Sequence, residues 1–227
     1  MGLKPIYPIY IPSKNRSHIN ITAKFLRADG VPFWLVVEPQ ERKVYEAKFG
    51  KGRVLVLPEN DRGLSYSRNW IKDRSTAAGD DRHWQLDDNI EGVRRLYQGE
   101  RIPCDSAIAF RVVEDFADRY ENVAIAGLNY QMFAGEFTRA PFVLNAHVYS
   151  CTLLANSTPY RFRGRNEDVD MCLQVLAGGL CTVQVNVFVA NKLRTMTIAG
   201  GQTDSDYLGD GRLKMARELE RRWPGVV

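Results

Sequence analysis

This sequence is poor in the features that mark specialised chains. No stretch approaches the roughly 18 consecutive apolar residues that a membrane-spanning helix needs. The short apolar run after Met1-Gly2-Leu3-Lys4-Pro5 lacks the small-residue cleavage site of a secretory leader, so a cytosolic (cytoplasmic) protein is expected. Only four cysteines occur in 227 residues, Cys104, Cys151, Cys172 and Cys181. They show no Cys-x-x-Cys spacing and read as reduced core thiols rather than zinc ligands or bridges. No Gly-x-Gly-x-x-Gly follows the first apolar run and no Gly-x-x-x-x-Gly-Lys-[Ser/Thr] occurs anywhere, so dinucleotide and P-loop binding drop away. Internal repeats, low-complexity tracts and linkers rich in Gly, Ser or Pro are also missing. One domain over 1–227 is expected, with two halves, 1–90 and 91–227.

What remains is an ordinary globular composition, 44% hydrophobic, 26% charged and 11% aromatic, long enough to enclose a proper core. A net charge of +4 permits a polyanionic partner without demanding one. Over the first 90 residues short apolar runs alternate with helical patterns, the signature of βαβ units on a mostly parallel sheet. Strands are expected at 6–11, 33–37, 53–57 and 83–86. Between them come a helix over 21–28 capped by Ser17, one from Pro39 to before Gly50, and one from Gly63 to Gly79. The second half adds a helix capped by Asp105 or Ser106, a strand over 122–126 and a β-rich run from 142 to 154. A helix from 167 to 178 capped by Asn166, a strand over 181–189 and a basic terminal helix over 212–223 complete it.

In an open α/β sheet ligands sit beyond the carboxyl ends of the strands. The residues following each expected strand are unusually polar: Pro12-Ser13-Lys14-Asn15-Arg16, Glu38, Glu59-Asn60-Asp61-Arg62 and Asp87-Asp88-Asn89. Helix caps account for one or two such residues per turn, not for an acid or a base after every strand. Adjacent carboxylates at a strand end suit a divalent cation that bridges them to a diphosphate, with the second acid free to meet a ribose hydroxyl. Asp87-Asp88 has that form, directly behind the apolar Trp84-Gln85-Leu86. A second cluster, Glu167-Asp168-Val169-Asp170, opens a helix, where acids complement the helix dipole. It is also a source of a general base for an attacking hydroxyl. Immediately upstream, Tyr160-Arg161-Phe162-Arg163-Gly164-Arg165 interleaves arginines and aromatics, the composition of a surface that contacts phosphates and stacks on bases. Arg212, Lys214, Arg217, Arg221 and Arg222 offer further cations, equally well read as a solvated face.

Taken together, Ile9-Tyr10-Ile11-Pro12-Ser13-Lys14-Asn15-Arg16, Gly63-Leu64-Ser65-Tyr66-Ser67-Arg68-Asn69-Trp70, Leu86-Asp87-Asp88-Asn89-Ile90 and Arg165-Asn166-Glu167-Asp168-Val169-Asp170 resemble GT-A glycosyltransferases. The resemblance is to the TET-associated glycosyltransferases, encoded largely by bacteriophages and thought to glycosylate hydroxymethylated pyrimidines in DNA, and it runs from about Pro5 to Pro224. It implies a single-domain GT-A-like (Rossmann-like) α/β fold, a mixed, mostly parallel sheet with helices on both faces. Residues 1–90 then form the nucleotide-sugar half and 91–227 the acceptor half. The resemblance makes Pro12, Ser13, Lys14, Arg16, Glu38, Arg68 and Asp87 the contacts of a UDP-sugar donor such as UDP-glucose. Asp88, with Asp87, becomes the ligand of Mg²⁺ or Mn²⁺, and Asp168 the first choice of catalytic base, ahead of Glu167 and Asp170. Tyr160, Arg161, Phe162, Arg163 and Arg165 become the face for the acceptor, DNA carrying 5-hydroxymethylcytosine or 5-hydroxymethyluracil. Two departures stand out: none of the histidines, His18, His83 and His147, lies late in the chain where many GT-A enzymes place a metal ligand, and the sequence stops at Trp223-Pro224-Gly225-Val226-Val227, where the family is expected to continue. Competing readings are a transferase acting on a saccharide, lipid or protein, a nucleotidyltransferase, disfavoured for want of a triphosphate loop, and a catalytically silent nucleic-acid-binding module.

Overall fold

β-Branched and aromatic residues alternate at Ile9-Tyr10-Ile11, and in the computed structural model they form β1 (Ile9–Pro12) at the middle of the first half of the sheet. The structure describes residues 3–134, 140–194, 200–201 and 209–227. Ile9 and Ile11 point to one face and Tyr10 to the other, as the two-residue period of an extended chain requires. β2 (Trp34–Val37) and β4 (Arg82–Leu86) flank β1 in parallel, and β3 (Val54–Val56) runs parallel beside β2. The connections are α1 (Ile21–Ala28), α2 (Arg42–Phe49) and α3 (Leu64–Ala77).

The second half contributes a hairpin, β5 (Ile90–Tyr97) with β6 (Glu100–Pro103), then α4 (Ser106–Ala117) and β7 (Val123–Tyr130). After these come β8 (Phe142–Leu144), β9 (Cys151–Ala155), α5 (Glu167–Ala177), β10 (Cys181–Lys192) and α6 (Gly211–Arg222). One ten-stranded sheet results, ordered β3-β2-β1-β4-β9-β7-β10-β5-β6, with β8 also paired to β10. Strands β1 to β4, β6, β7 and β10 share one direction, and β5, β8 and β9 oppose them, so the sheet is mixed and mostly parallel in sense.

Helices cover both faces. Leu26 of α1, Tyr45 and Phe49 of α2, and Phe110 and Val113 of α4 pack on Ile9, Ile11, Leu35 and Val37. On the other face Ile71 of α3 meets Tyr10 and Val36, while Met171 and Val175 of α5 meet Ile125 and Leu154. Trp84, wholly buried, lies 4.8 Å from the Phe110 ring centre and donates its indole N–H to Glu114 at 2.9 Å. Truncating such a side chain costs about 3–5 kcal/mol. All four cysteines are free, as the sequence leads one to expect. Among the described residues no helix is long and apolar enough to cross a membrane.

Several boundaries depart from the sequence-based expectation. Asn20, not Ser17, caps α1, its side chain accepting from Ala23 N at 2.9 Å. The run expected over 142–154 breaks in two because Asn145 and Ser150 take left-handed backbone angles. The β5–β6 hairpin, missed in the sequence, turns at Gln98-Gly99, both at positive φ. β7 and β10 run four and three residues further than expected, to Tyr130 and Lys192.

Candidate active site

Peptide geometry sends the adjacent carboxylates at the end of β4 in opposite directions. Asp88 turns toward β1, where Ser13 Oγ donates to Oδ2 at 2.8 Å and Arg16 Nη1 lies 2.6 Å from Oδ1. Ser13 is itself held by Tyr45 Oη at 2.8 Å and Asn20 Nδ2 at 3.1 Å. Burial pushes the Asp88 carboxyl above its ordinary pKa, with Arg16 and Ser13 opposing. Asp87 faces the other half. Arg68 Nη2 lies 3.0 Å from its Oδ1, while Ser150 Oγ at 2.6 Å and Lys192 Nζ at 2.8 Å share Oδ2. Burial opposes ionisation here too, but Lys192 and Arg68 outweigh it and hold Asp87 well below the usual carboxylate range.

Lys192 and Tyr130 arrive because β10 and β7 run parallel and end together. Lys192 Nζ donates to Tyr130 Oη at 2.5 Å and to Ser150 Oγ at 2.8 Å. Ser150 comes from the start of a strand: antiparallel pairing sets Cys151 of β9 opposite Leu86 of β4. Tyr130, Ser150 and Lys192 are absent from the sequence-based expectation, because only the long-range pairing of β7, β9 and β10 brings them to the end of β4.

The loops after the first three strands converge as a second cluster. Lys14 Nζ lies 3.0 Å from Glu38 and 2.5 Å from Asp61, and Gln40 Nε2 donates to Glu38 at 2.7 Å. Pro12 closes β1, opposite Val36. The donor-site residues expected from the sequence therefore fall into two neighbouring groups, Lys14 with Glu38, and Ser13 and Arg16 with Asp88, alongside Arg68 with Asp87.

The acidic helix divides its carboxylates among three environments. Glu167, buried, lies 3.2 Å from Arg68 Nε, and burial with Asp168 beside it raises its pKa. Asp168 is partly open, its Oδ2 is 3.3 Å from His147 Nε2, and although burial opposes this, His147 and Arg68 keep the carboxyl below its ordinary pKa. His147 stacks on Tyr149 at 4.4 Å, and Tyr149 meets Tyr130 edge-on at 4.4 Å. His147 and Tyr149 also escaped the sequence reading, lying in an irregular stretch before β9.

Asp170 departs from the catalytic expectation. It is fully buried and accepts from Arg163 Nε at 2.9 Å, Arg163 Nη2 at 2.8 Å, Gln174 Nε2 at 2.7 Å and Trp223 Nε1 at 2.8 Å. With both oxygens committed and no exposed surface, it is a structural acid. The expected stacking face is likewise corrected: Tyr160 and Phe162 are 1% and 3% exposed, packed against α5. Lys72 covers the Tyr160 ring at 3.7 Å and Arg68 the Phe162 ring at 5.5 Å. Of the arginines beside them, Arg163 is committed to Asp170 and Arg161 to Asp73 at 2.5 Å on the surface. Arg165 is partly exposed.

The same geometry tests the expected Mg²⁺ or Mn²⁺. Each of the four carboxylate oxygens of Asp87 and Asp88 already faces a donor, and three of those donors are cations, Arg16, Arg68 and Lys192. A divalent ion needs open oxygen ligands, and among the described residues no group of three His, Cys, Asp or Glu is placed to hold one. This donor set does not fit a resident cation.

Comparison with known proteins agrees with the fold. A crystal structure from Desulfovibrio desulfuricans G20, described as a candidate nucleotide-diphospho-sugar transferase, superposes with a TM-score of 0.51 at 10% identity, covering 85% of this chain and 84% of that one. No curated protein matches the sequence. The family model for TET-associated glycosyltransferases matches residues 7–201, a span that holds the Ser13–Arg16 loop, Asp87-Asp88, the acidic helix and Lys192. This chain belongs to the TET-associated glycosyltransferase family.

Proposed function

We propose that the chain transfers a sugar from a nucleotide-sugar donor, UDP-glucose or similar, to the hydroxymethyl group of 5-hydroxymethylcytosine or 5-hydroxymethyluracil in DNA. Family membership supports glycosyl transfer, and the structural neighbour's description supports the donor class. The observation that carries the reading is the charged cluster at the strand ends, where Asp87, under Arg68 and Lys192, lies close to the helix bearing Glu167 and Asp168. Residues 1–90 supply most of the donor side, through Pro12, Ser13, Lys14, Arg16, Glu38, Arg68 and Asp87; residues 91–227 supply the acceptor side.

In the reaction the acceptor oxygen forms a bond to the sugar's anomeric carbon as the bond from that carbon to the β-phosphate oxygen breaks. The electron pair leaves with the diphosphate. The hydroxymethyl proton passes to a carboxylate, and Asp168 is the base. It is the more open of the two acids beside Arg68, and His147 orients it at 3.3 Å. Glu167 is locked against Arg68, where it sets the position of that guanidinium. Arg161 and Arg165 contact DNA phosphates, and the His147–Tyr149 stack receives the target base, extruded from the duplex.

The test mixes the protein with hydroxymethylcytosine or hydroxymethyluracil DNA and a panel of UDP-sugars, with Mn²⁺ present or absent, and weighs the released nucleosides. A hexose-sized gain that vanishes in Asp168→Asn supports the reading. Donor hydrolysis without any gain on DNA instead favours a saccharide or protein acceptor, the reading to which the buried Tyr160 and Phe162 lend weight.

A further inference from the structure

We infer that Lys192, aided by Arg68, Tyr130 and Ser150, is the binding site for the donor's diphosphate and takes the place that a divalent cation holds in metal-dependent transferases. The inference deepens the function proposed above and rests on its nucleotide-sugar donor.

Three observations carry it. First, two cations converge on one carboxylate at the strand ends: Lys192 and Arg68 both contact Asp87, at 2.8 and 3.0 Å. Arg68 is also answered by Glu167 at 3.2 Å and by Asp168 nearby, whereas Asp87 is the one carboxylate in contact with Lys192 among the described residues, so Lys192 is the cation that an arriving diphosphate meets. Second, Lys192 is not a solvated lysine. Its side chain is 9% exposed, and its ammonium is gathered by Asp87, Tyr130 and Ser150. An ordered, desolvated ammonium acts on an anion far more strongly than one in bulk water. Third, two of the three partners of the Lys192 ammonium are neutral hydroxyls, those of Tyr130 and Ser150, which a phosphate oxygen can displace while Asp87 still holds the remaining N–H.

These groups perform the cation's work without a metal. As the bond between the anomeric carbon and the phosphate oxygen breaks, negative charge grows on the leaving diphosphate. The Lys192 ammonium stabilises it with no proton transferred. Asp87 fixes the ammonium's position, and Asp88, tied to Ser13 and Arg16, orders the loop on the nucleoside side. Lys192 is thus the group that touches the diphosphate, while Arg68, 4% exposed and locked between Asp87, Gln85 and Glu167, is a positioning residue.

The experiment measures binding of UDP, GDP, TDP and ADP by calorimetry in EDTA and in Mn²⁺, for the wild type, Lys192→Met and Lys192→Arg, with sugar transfer followed in parallel. The expected result is that the preferred nucleotide binds equally well in EDTA and that transfer persists there. Lys192→Met should lose about tenfold or more in affinity, the scale of a charge-assisted contact, and Lys192→Arg should recover part of that loss. Melting of each variant without ligand separates this from misfolding, and the arginine variant keeps the test decisive if the methionine variant does not fold. Binding or transfer that requires Mn²⁺, or nucleotide affinity in a folded Lys192→Met equal to wild type, overturns the inference while leaving the transferase reading intact. No binding to any of the four nucleotides in either condition overturns both.

Discussion

Replacing Asp170 by asparagine separates a structural acid from a catalytic one. The carboxylate accepts a two-point contact from Arg163 together with bonds from Gln174 and Trp223, and Arg222 approaches to 3.6 Å. Removing one charge from a buried pair costs about 3–5 kcal/mol. Arg163, whose side chain is 47% exposed, can turn to water when its partner is lost; screening of that kind lowers the figure to about 2–3 kcal/mol. In a chain of this length each kcal/mol moves the melting midpoint by about 2–4 °C, so Asp170→Asn should melt about 4–12 °C lower. Assayed at 20 °C, where it is still folded, the variant should transfer sugar within a few-fold of wild type. Asp168→Asn should do the reverse, melting normally and losing about 10²- to 10⁴-fold in transfer. An Asp170→Asn protein that melts like wild type yet is inactive would refute the assignment and restore Asp170 as a candidate base.

Other outcomes follow from the same geometry. His83 is wholly buried and neutral, Nδ1 donating to Asn156 at 2.6 Å and Nε2 accepting from Gln85 at 2.9 Å; burial depresses its pKa to about 3. A depressed folded pKa leaves its contribution intact above the unfolded value of about 6.5 and removes it as pH falls toward 3, a loss of about 2 kcal/mol by pH 5. Denaturant titrations between pH 7 and 5 should show this slope in wild type and a flatter one in His83→Gln. Arg161→Ala removes an exposed ion pair with Asp73 and should leave the melting midpoint unchanged. It should weaken DNA binding and reduce the salt dependence of log K by about one phosphate's worth, a change that filter binding across a salt series detects. In Gly127→Ala the new methyl would collide with the Cys151 carbonyl and the Val148 side chain, and a loss of about 1–3 kcal/mol should appear in chemical melts.

Much of this molecule was legible in one sequence because hydrophobic periodicity and strand-end polarity are local signals. The first four strands, their helices and the polar residues beyond them all follow from short windows. Asp87-Asp88 stood out by its position alone, but its partners did not, since Lys192 lies 105 residues from Asp87 along the chain and Ser150 lies 63 away. Pairing across such separations is decided by strand order, on which local windows are silent. Two misreadings had a remedy in the sequence itself. In an extended segment alternate residues face opposite ways, so Tyr160-Arg161-Phe162-Arg163 cannot present its aromatics and its arginines to the same partner. On a helix, Asp168 and Asp170 stand about 200° apart at 3.6 residues per turn, so one acceptor cannot see both.

α6 lies wholly outside the stretch recognised by the family, which ends at residue 201. Nevertheless Arg222 and Trp223, at its far end, reach back to Asp170. A chain trimmed to the recognised stretch would strip an internal anion of its indole and of one guanidinium. The working boundary for expression or domain fusion therefore falls after Trp223. A relative that has lost this helix would need a different side chain at the place of Asp170.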